Sequence, residues 1–261
     1  MDGKVDPARI ARVARALDPD VCCFQEVAEN FATLEGSAGE NQPEMLHSCF
    51  DGYSAHFACA VDVPDGKGGR RRYGNLILSR LPVQQVFRHS LPWPAEAEAP
   101  TMPRVALEAV VEAPSGLLSV TTTHLEFYSV KQRAAQVGHL KDLDAGRRLH
   151  AKTVPPGADA SDVFRHWPRP AAAILTGDFN MPPSDPLFAA LLATWRDAWQ
   201  VKHPDLAHPP SFFVHDRGRG IAPYCCDYVL LSEDLAPRLA SIRVDGETQA
   251  SDHQPVIVEF R

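Results

Sequence analysis

Residues 171–180, AAAILTGDFN, form an apolar run that ends in a carboxylate and a carboxamide. Pro182 and Pro183 follow shortly afterwards and end any strand there. Because side chains alternate along a strand, Asp178 and Asn180 are predicted to face the same side at its mouth. Such an arrangement is typical of a binding or catalytic site. The competing interpretation is that both residues only build the polar turn after a buried strand.

Acidic and imidazole side chains recur where other apolar runs begin or end. Burying such groups without partners costs on the order of several kcal/mol, so we expect them to meet in one place. Carboxylate oxygens suit Mg²⁺ or Mn²⁺ better than zinc, and the set therefore predicts metal-assisted phosphate chemistry. The groups are Glu26 after residues 21–25, His124 after 119–123, Asp227 beginning 227–231, and Asp252 and His253 before 256–260.

The composition is that of an ordinary globular protein. The chain has 261 residues, 44% of them hydrophobic and 23% charged, and no linker-like segment divides it, so we predict one domain over residues 1–261. The formal net charge of -7 gives no global attraction to nucleic acid, although a local basic patch could serve a phosphate substrate. No apolar run approaches the roughly 20 residues of a membrane span, and no signal peptide pattern is present, so a cytoplasmic protein is expected.

The cysteine pattern argues against a redox or zinc-binding framework. Cys22, Cys23, Cys225 and Cys226 lie inside apolar runs, and no CxxC spacing occurs. Buried, reduced thiols are therefore favoured over a disulfide or a zinc site.

The spacing of apolar residues predicts more strands than helices. Asp6 and Pro7 begin a helix, and a strand that ends at Glu26 follows it. Because strands and helices do not alternate strictly, a sandwich of mixed sheets is favoured over a doubly wound parallel sheet. The basic segment 65–72 is interpreted as a solvated hairpin tip, with a phosphate-steering rim as the alternative. Further strands are predicted over 53–63, 73–80, 105–111 and 117–123, and helices over 130–149 and 187–195.

Six short motifs occur in a particular order: Gln25-Glu26, Gly74–Ser79, Thr123–Glu126, Gly177–Asn180, Asp227–Leu230 and Ser251–Val256. Together they resemble the endonuclease/exonuclease/phosphatase (DNase I-like) superfamily over nearly the whole chain. Each motif is weak by itself, but the ordered set is hard to produce by chance. The resemblance implies an α/β fold, a four-layer sandwich of two packed mixed β-sheets flanked by helices. It also implies a divalent cation, Mg²⁺ or Mn²⁺, at one end of the sandwich.

The resemblance implies roles for the acidic residues and one histidine. Glu26 and Asp252 match metal ligands, and Asp178 matches a residue that completes or approaches the coordination sphere. His253 matches the residue that contacts the scissile phosphate or activates the attacking water, and Asp227 matches the residue that holds its imidazole. Asp178 is the other candidate general base.

Four further residues are candidates on the substrate side. His124 matches a second phosphate-binding or acid histidine, and Asn180 matches a residue that orients the water or donates to the phosphoryl group. Asn75 matches a substrate-contacting position. Arg104 is interpreted either as a phosphate contact or as a surface strand residue. The competing interpretations are a core-edge histidine for His124 and a residue that only begins a strand for Asn75.

One departure from the family pattern concerns the N-terminus. Family members normally begin with a strand that ends in an asparagine, whereas residues 1–5 here run directly into the first helix. That usual first strand is therefore predicted to be missing from this chain, either because the start site was placed too late or because the protein dispenses with the strand and its asparagine. Loss of a core strand exposes a sheet edge, so we expect weakened metal binding and a dimer formed through that edge.

The predicted activity is hydrolysis of a phosphoester by in-line attack of water with the help of a divalent metal. The sequence leaves nucleic acid, inositol phosphate and lipid headgroup substrates open, although Gln132, Arg133 and Gln136 after Glu126 are similar to the tyrosyl-DNA phosphodiesterase branch. The alternative is a catalytically impaired member that binds a ligand or a partner. Clustered carboxylates without a metal would repel one another, which argues against that alternative.

Overall fold

The computed structural model of the chain describes residues 4–154, 163–215, 220 and 222–261. Residues 1–3 and parts of the Pro- and Gly-rich connections predicted over 151–170 and 202–223 lie outside the described residues. The helices are α1 (Pro7–Ala16), α2 (Gln42–Ser48), α3 (Val130–His150), α4 (Pro186–Leu192) and α5 (Ala198–Lys202). The strands are β1 (Val21–Glu29), β2 (Ser54–Pro64), β3 (Arg70–Ser79), β4 (Val83–Ser90), β5 (Val105–Ala113), β6 (Gly116–His124), β7 (Ala173–Asp178), β8 (Arg196–Asp197), β9 (Asp227–Leu231), β10 (Leu239–Val244) and β11 (Val256–Phe260).

Side-chain caps explain where three of the helices begin. The Asp6 carboxylate accepts a hydrogen bond from the backbone N–H of Arg9, and Pro7 occupies the first turn, where a missing N–H costs nothing. Ser129 caps α3 in the same way, and Asp185 caps α4. The helices therefore begin where the sequence predicted them.

A six-stranded mixed sheet positions the chemically active residues. Its order is β4-β5-β6-β7-β9-β8, and within it β6 and β7 are the parallel pair. In this register His124 pairs with Asp178, and Asp178 pairs with Asp227. The ends of three neighbouring strands thus bring an imidazole and two carboxylates side by side.

The predicted layered sandwich is confirmed, and one of its two sheets is divided. Facing the six-stranded sheet are a three-stranded sheet, β1-β3-β2, and a two-stranded sheet, β10-β11, both antiparallel. Residues of both pieces pack with the six-stranded sheet in one apolar core. A second core lies between α1, α2 and the three-stranded sheet, and a third lies between α3, α4 and the six-stranded sheet.

Among the described residues, no strand pairing joins the two pieces of the divided sheet. β1 contacts β6 and β7, whereas β11 contacts β9. Within the described part of the chain, β1 pairs only with β3 apart from an isolated bridge between Glu29 and Asn41, and β11 pairs only with β10. Residues 4–6, which directly precede α1, are not in a strand.

Several details differ from the sequence prediction. The first strand does not end at Glu26. Its pairing with β3 is irregular between Phe24 and Val27, and the strand then continues to Glu29. The short strands β4, β8 and β10 and the single-turn helix α5 were not predicted, since none of them has a long apolar period. The basic segment is a hairpin tip between β2 and β3, where Arg70 forms an ion pair with Asp62. Among the described residues, no helix combines the length and apolar character that crossing a bilayer requires.

We expect the 261-residue chain to self-associate through a free edge of the divided sheet. Ile257 lies on β11 outside the apolar core that holds Val256 and Val258, so Ile257→Lys places a charge on the edge without entering the core. In light scattering, Ile257→Lys should shift the mass from dimer toward monomer. Val201→Lys on α5, where the side chain is 40% exposed, is the control and should leave the mass unchanged. A wild-type monomer at high protein concentration would contradict the expectation.

Candidate active site

Glu26 reaches the site through a bulge in β1. The pairing of β1 with β3 shifts register between Phe24 and Val27, and Glu26 has a φ of 58°, which is rare for a residue with a side chain. Gln25 donates to Thr122 on β6 at 2.7 Å and ties the bulge to the opposite sheet. The Glu26 side chain is 59% exposed and contacts the Tyr73 hydroxyl, so its carboxylate is open to solvent ions.

Asp178 stands at the end of β7, where the backbone is tightly constrained. Gly177 has a φ of 132°, and a Cβ there would overlap the carbonyl oxygen of Thr123 on β6. The glycine of the motif is therefore needed for close strand approach. The Asp178 carboxylate accepts a hydrogen bond from the backbone N–H of Asn180 at 2.7 Å through Oδ1, which leaves Oδ2 facing the site.

His124 lies between two acidic side chains. Its Nε2 is 3.7 Å from Glu26 Oε1 and 3.5 Å from Asp178 Oδ2. Burial lowers the pKa of His124 well below its usual value, and the charges of Arg104 and His253 lower it further. The imidazole is therefore neutral at physiological pH.

His253 and Asp227 form a tightly held pair. His253 Nδ1 is 2.9 Å from Asp227 Oδ2, which also accepts the Ser211 hydroxyl at 2.6 Å. The ring of Phe212 lies 4.4 Å from the imidazole and restricts its rotation. Burial alone would lower the pKa of His253, but the neighbouring carboxylates, Asp227 foremost, raise it to about 10. The pair is thus an ion pair at neutral pH.

For Asp178, in contrast to His253, the surroundings disfavour the charged form. Its side chain is 6% exposed, and its Oδ2 is 3.9 Å from His253 Nε2. Burial raises the pKa of Asp178 to about 7, the Asp227 charge adds to the rise, and His253 partly offsets it. Without a cation, the negative charges of Asp178 and its neighbouring carboxylates therefore repel one another.

Asp252 at this site is exposed to solvent, whereas the Asn180 side chain is held by a hydrogen bond. Asp252 is exposed, and its charge contributes to the electrostatic environment of both Glu26 and His253. Asn180 has a φ of 50°, and its side-chain amide donates to the Leu125 carbonyl at 2.8 Å. Donation from Asn180 to a phosphoryl oxygen would require that bond to break.

Two residues that were predicted to touch substrate are buried and have intramolecular hydrogen bonds. Asn75 is 2% exposed, and its amide donates to the Val105 carbonyl at 2.9 Å, so it joins the two facing sheets. Arg104 is 6% exposed and donates through Nε to Glu126 at 3.2 Å. His124 and Asp178 are buried to a similar degree, so burial alone does not decide whether Asn75 and Arg104 contact substrate. Arg104 still acts on the site through its charge.

The sequence analysis did not predict four residues that lie at the site: Tyr73, Ser211, Phe212 and Cys226. Tyr73 directly precedes the Gly74 motif, and Cys226 directly precedes Asp227, so closer attention to motif neighbours could have found them. Ser211 and Phe212 follow a proline-rich segment with no periodic signal, and only the tertiary pairing of Phe212 with His253 reveals them. All six cysteines are free, and Cys22, Cys225 and Cys226 are buried, whereas Cys23 is only partly buried.

The donor set fits a hard divalent cation. Glu26 and Asp252 are exposed carboxylates, and Asp178 has one oxygen without a hydrogen bond. Oxygen donors with this excess of negative charge suit Mg²⁺ or Mn²⁺, which would also relieve the repulsion on Asp178. A second group, Asp178, Cys226 and His253, has ligand atoms all within 4.8 Å of one another.

The chain belongs to the endonuclease/exonuclease/phosphatase family, whose model matches residues 2–253. Members of that family hydrolyse phosphoester bonds. No curated protein matches the sequence.

Solved structures share the fold at low sequence identity. A mannosyl-6-phosphatase of Bacteroides thetaiotaomicron has a TM-score of 0.68 at 18% identity, covering 98% of this chain and 90% of its own. Truncated TDP2 of Caenorhabditis elegans has a TM-score of 0.61 at 20% identity, covering 96% and 88%. The 3' phosphatase NExo from Neisseria, bound to a product DNA hairpin, has a TM-score of 0.60 at 21% identity, covering 97% and 95%. These likenesses concern the fold.

The raised pKa of Asp178 predicts a pH-dependent gain in stability on its removal. A carboxyl whose folded pKa lies above its unfolded value favours folding at low pH, and this contribution is lost as the pH rises to about 7. In EDTA, Asp178→Asn should therefore raise the melting temperature by roughly 3 °C or more at pH 8 and by less at pH 5. Asp234→Asn, at an exposed turn, is the control and should show no such difference. A lower melting temperature for Asp178→Asn at pH 8 would refute the argument.

Proposed function

We propose that this protein is a phosphoester hydrolase that depends on Mg²⁺ or Mn²⁺ and directs water at phosphorus. The observation that carries the proposal is the meeting of Glu26, His124, Asp178 and His253 through side-chain distances of 3.5 to 3.9 Å, although the residues come from distant parts of the sequence. Family membership supports the class of reaction.

Glu26 and Asp252 would hold the cation, and Asp178 would approach its coordination sphere. A bound divalent cation supplies neutralisation of phosphate charge and lowers the pKa of nearby water. Because Glu26 lies on one piece of the divided sheet and Asp252 precedes β11 of the other piece, we expect weak affinity for Mg²⁺ in calorimetric titration of the 261-residue chain.

Asp227, His253 and Asp178 would have separate roles in catalysis. Asp227 accepts from three groups, His253 Nδ1, the Ser211 hydroxyl and the Cys226 thiol, and so holds the His253 ring with Nε2 toward Asp178. His253 would donate from Nε2 to the phosphoryl group. Asp178 Oδ2, which faces both imidazoles, would accept the proton of the attacking water.

His124 and Asn180 would position the reacting groups. The buried, neutral His124 can donate a hydrogen bond to a phosphoryl oxygen without bringing a charge into the site. Asn180 fixes Asp178 through its backbone N–H and fixes Leu125 through its side chain. Asn180 therefore holds the ends of β6 and β7 together.

Metal-dependent hydrolysis of bis-p-nitrophenyl phosphate tests the proposal. Turnover should require Mg²⁺ or Mn²⁺, should stop in EDTA and should return when the metal is restored. Glu26→Gln should lower kcat/KM by about 10²-fold or more, because a charged donor to the cation is lost. Glu29→Gln, on the same strand but paired with Arg72, should keep nearly full activity. Turnover that is insensitive to EDTA would refute metal dependence.

A substrate panel separates the open substrate classes. Phosphatases among the structural neighbours make phosphomonoesters the first choice, so sugar 6-phosphates and DNA with a 3' phosphate should be tested beside inositol phosphates, 5'-tyrosyl DNA and sphingomyelin. His253→Asn should abolish turnover of every substrate that the wild type hydrolyses. No turnover by the wild type with any substrate would favour the alternative of a ligand-binding member of the family.

A further inference from the structure

A sulfur ligand lies in the candidate active site beside oxygen and nitrogen ligands. One ligand atom each of Asp178, Cys226 and His253 lies within 4.8 Å of the other two. Cys226 is fully buried and Asp178 nearly so, whereas 27% of the His253 side chain is exposed. The group is therefore closed at its thiol end and open at its imidazole end.

The backbone holds Cys226 firmly in place. The Cys226 carbonyl accepts a hydrogen bond from Phe179 N at 2.8 Å, and its backbone N–H donates to the Ser211 hydroxyl at 3.2 Å. Its thiol lies 3.5 Å from Asp227 Oδ2, the atom that also binds His253 Nδ1. The sulfur is thus fixed beside the imidazole by contacts that do not depend on a metal.

This group differs in chemistry from the carboxylate pair of Glu26 and Asp252. Mg²⁺ and Mn²⁺ prefer oxygen donors and avoid thiolate, whereas zinc binds Cys, His and Asp side chains readily. Neighbouring ligand atoms of a tetrahedral zinc site are about 3.3–3.6 Å apart, given the usual zinc–ligand distances. Asp178 Oδ2 and His253 Nε2 are 3.9 Å apart, so small side-chain movements suffice.

We propose that Asp178, Cys226 and His253 form an inhibitory Zn²⁺ site directly beside the site of the activating cation. Zinc bound there leaves a fourth position for water or phosphate. The inhibition rests on the proposed function, since coordination removes Asp178 as proton acceptor and His253 as phosphate contact. Zinc binding itself does not rest on that function.

Cobalt spectroscopy tests binding without any assay of activity. Co²⁺ added to the wild-type protein should produce a near-ultraviolet thiolate-to-cobalt charge-transfer band that Zn²⁺ removes. Cys226→Ser should lose the band. Cys225→Ser should keep it, because Cys225 is an equally buried neighbour whose sulfur faces the Asp227 carbonyl oxygen at 3.6 Å and not this group. The absence of a thiolate band in the wild-type protein would overturn the proposal.

Zinc inhibition of hydrolysis provides the second test. With saturating Mg²⁺, the Zn²⁺ concentration for half-inhibition should be at least about tenfold higher in Cys226→Ser than in the wild type and in Cys225→Ser. Serine retains a hydroxyl donor toward Asp227, and Cys226→Ala repeats the test without it. Equal inhibition of all variants would overturn the role of the thiol. A thiolate band without hydrolysis of any phosphoester would support the metal site and remove the proposed function.

Discussion

The charge of Asp178 and Asp227 is the constraint on which the site depends. These residues are direct partners across β7 and β9, and both carboxylates are largely shielded from water. Two like charges so placed repel strongly unless cations or donors compensate them. Asp227 is compensated by His253 and Ser211, whereas Asp178 has one backbone donor and two imidazoles at longer range. The uncompensated part of this charge is what a divalent cation can neutralise.

The charged side chains are brought close together at positions where strands depart from regular geometry. Gly177 allows β7 to approach β6 closely enough for His124 and Asp178 to pair. Gly74 has the same role between β3 and β2, where a Cβ would overlap the Ala58 carbonyl oxygen. The bulge at Glu26 turns a carboxylate out of β1 toward the site. Strand ends and irregularities, more than the strands themselves, therefore determine where the reactive side chains lie.

The sequence allowed the site residues to be grouped because strand ends carry a simple signal. An apolar run that stops at a charged residue predicts a polar edge, and the ordered motifs predicted that these edges meet. The same signal does not distinguish a polar residue at the surface from one that is buried, as Asn75 and Arg104 are. It also missed Ser211 and Phe212, which reach His253 only through tertiary contacts. Short-range patterns predict the ends of elements, whereas partners distant in sequence require the folded chain.

The divided sheet connects the fold to the electrostatics of the site. Glu26 belongs to the three-stranded piece and Asp252 precedes β11 of the two-stranded piece, and no described strand joins the two pieces. Their separation is therefore set by how each piece packs on the six-stranded sheet. By contrast, Asp178 and His124 are fixed by direct strand pairing. Cation affinity should consequently vary with anything that moves the pieces relative to each other, while the arrangement of Asp178 and His124 should change little.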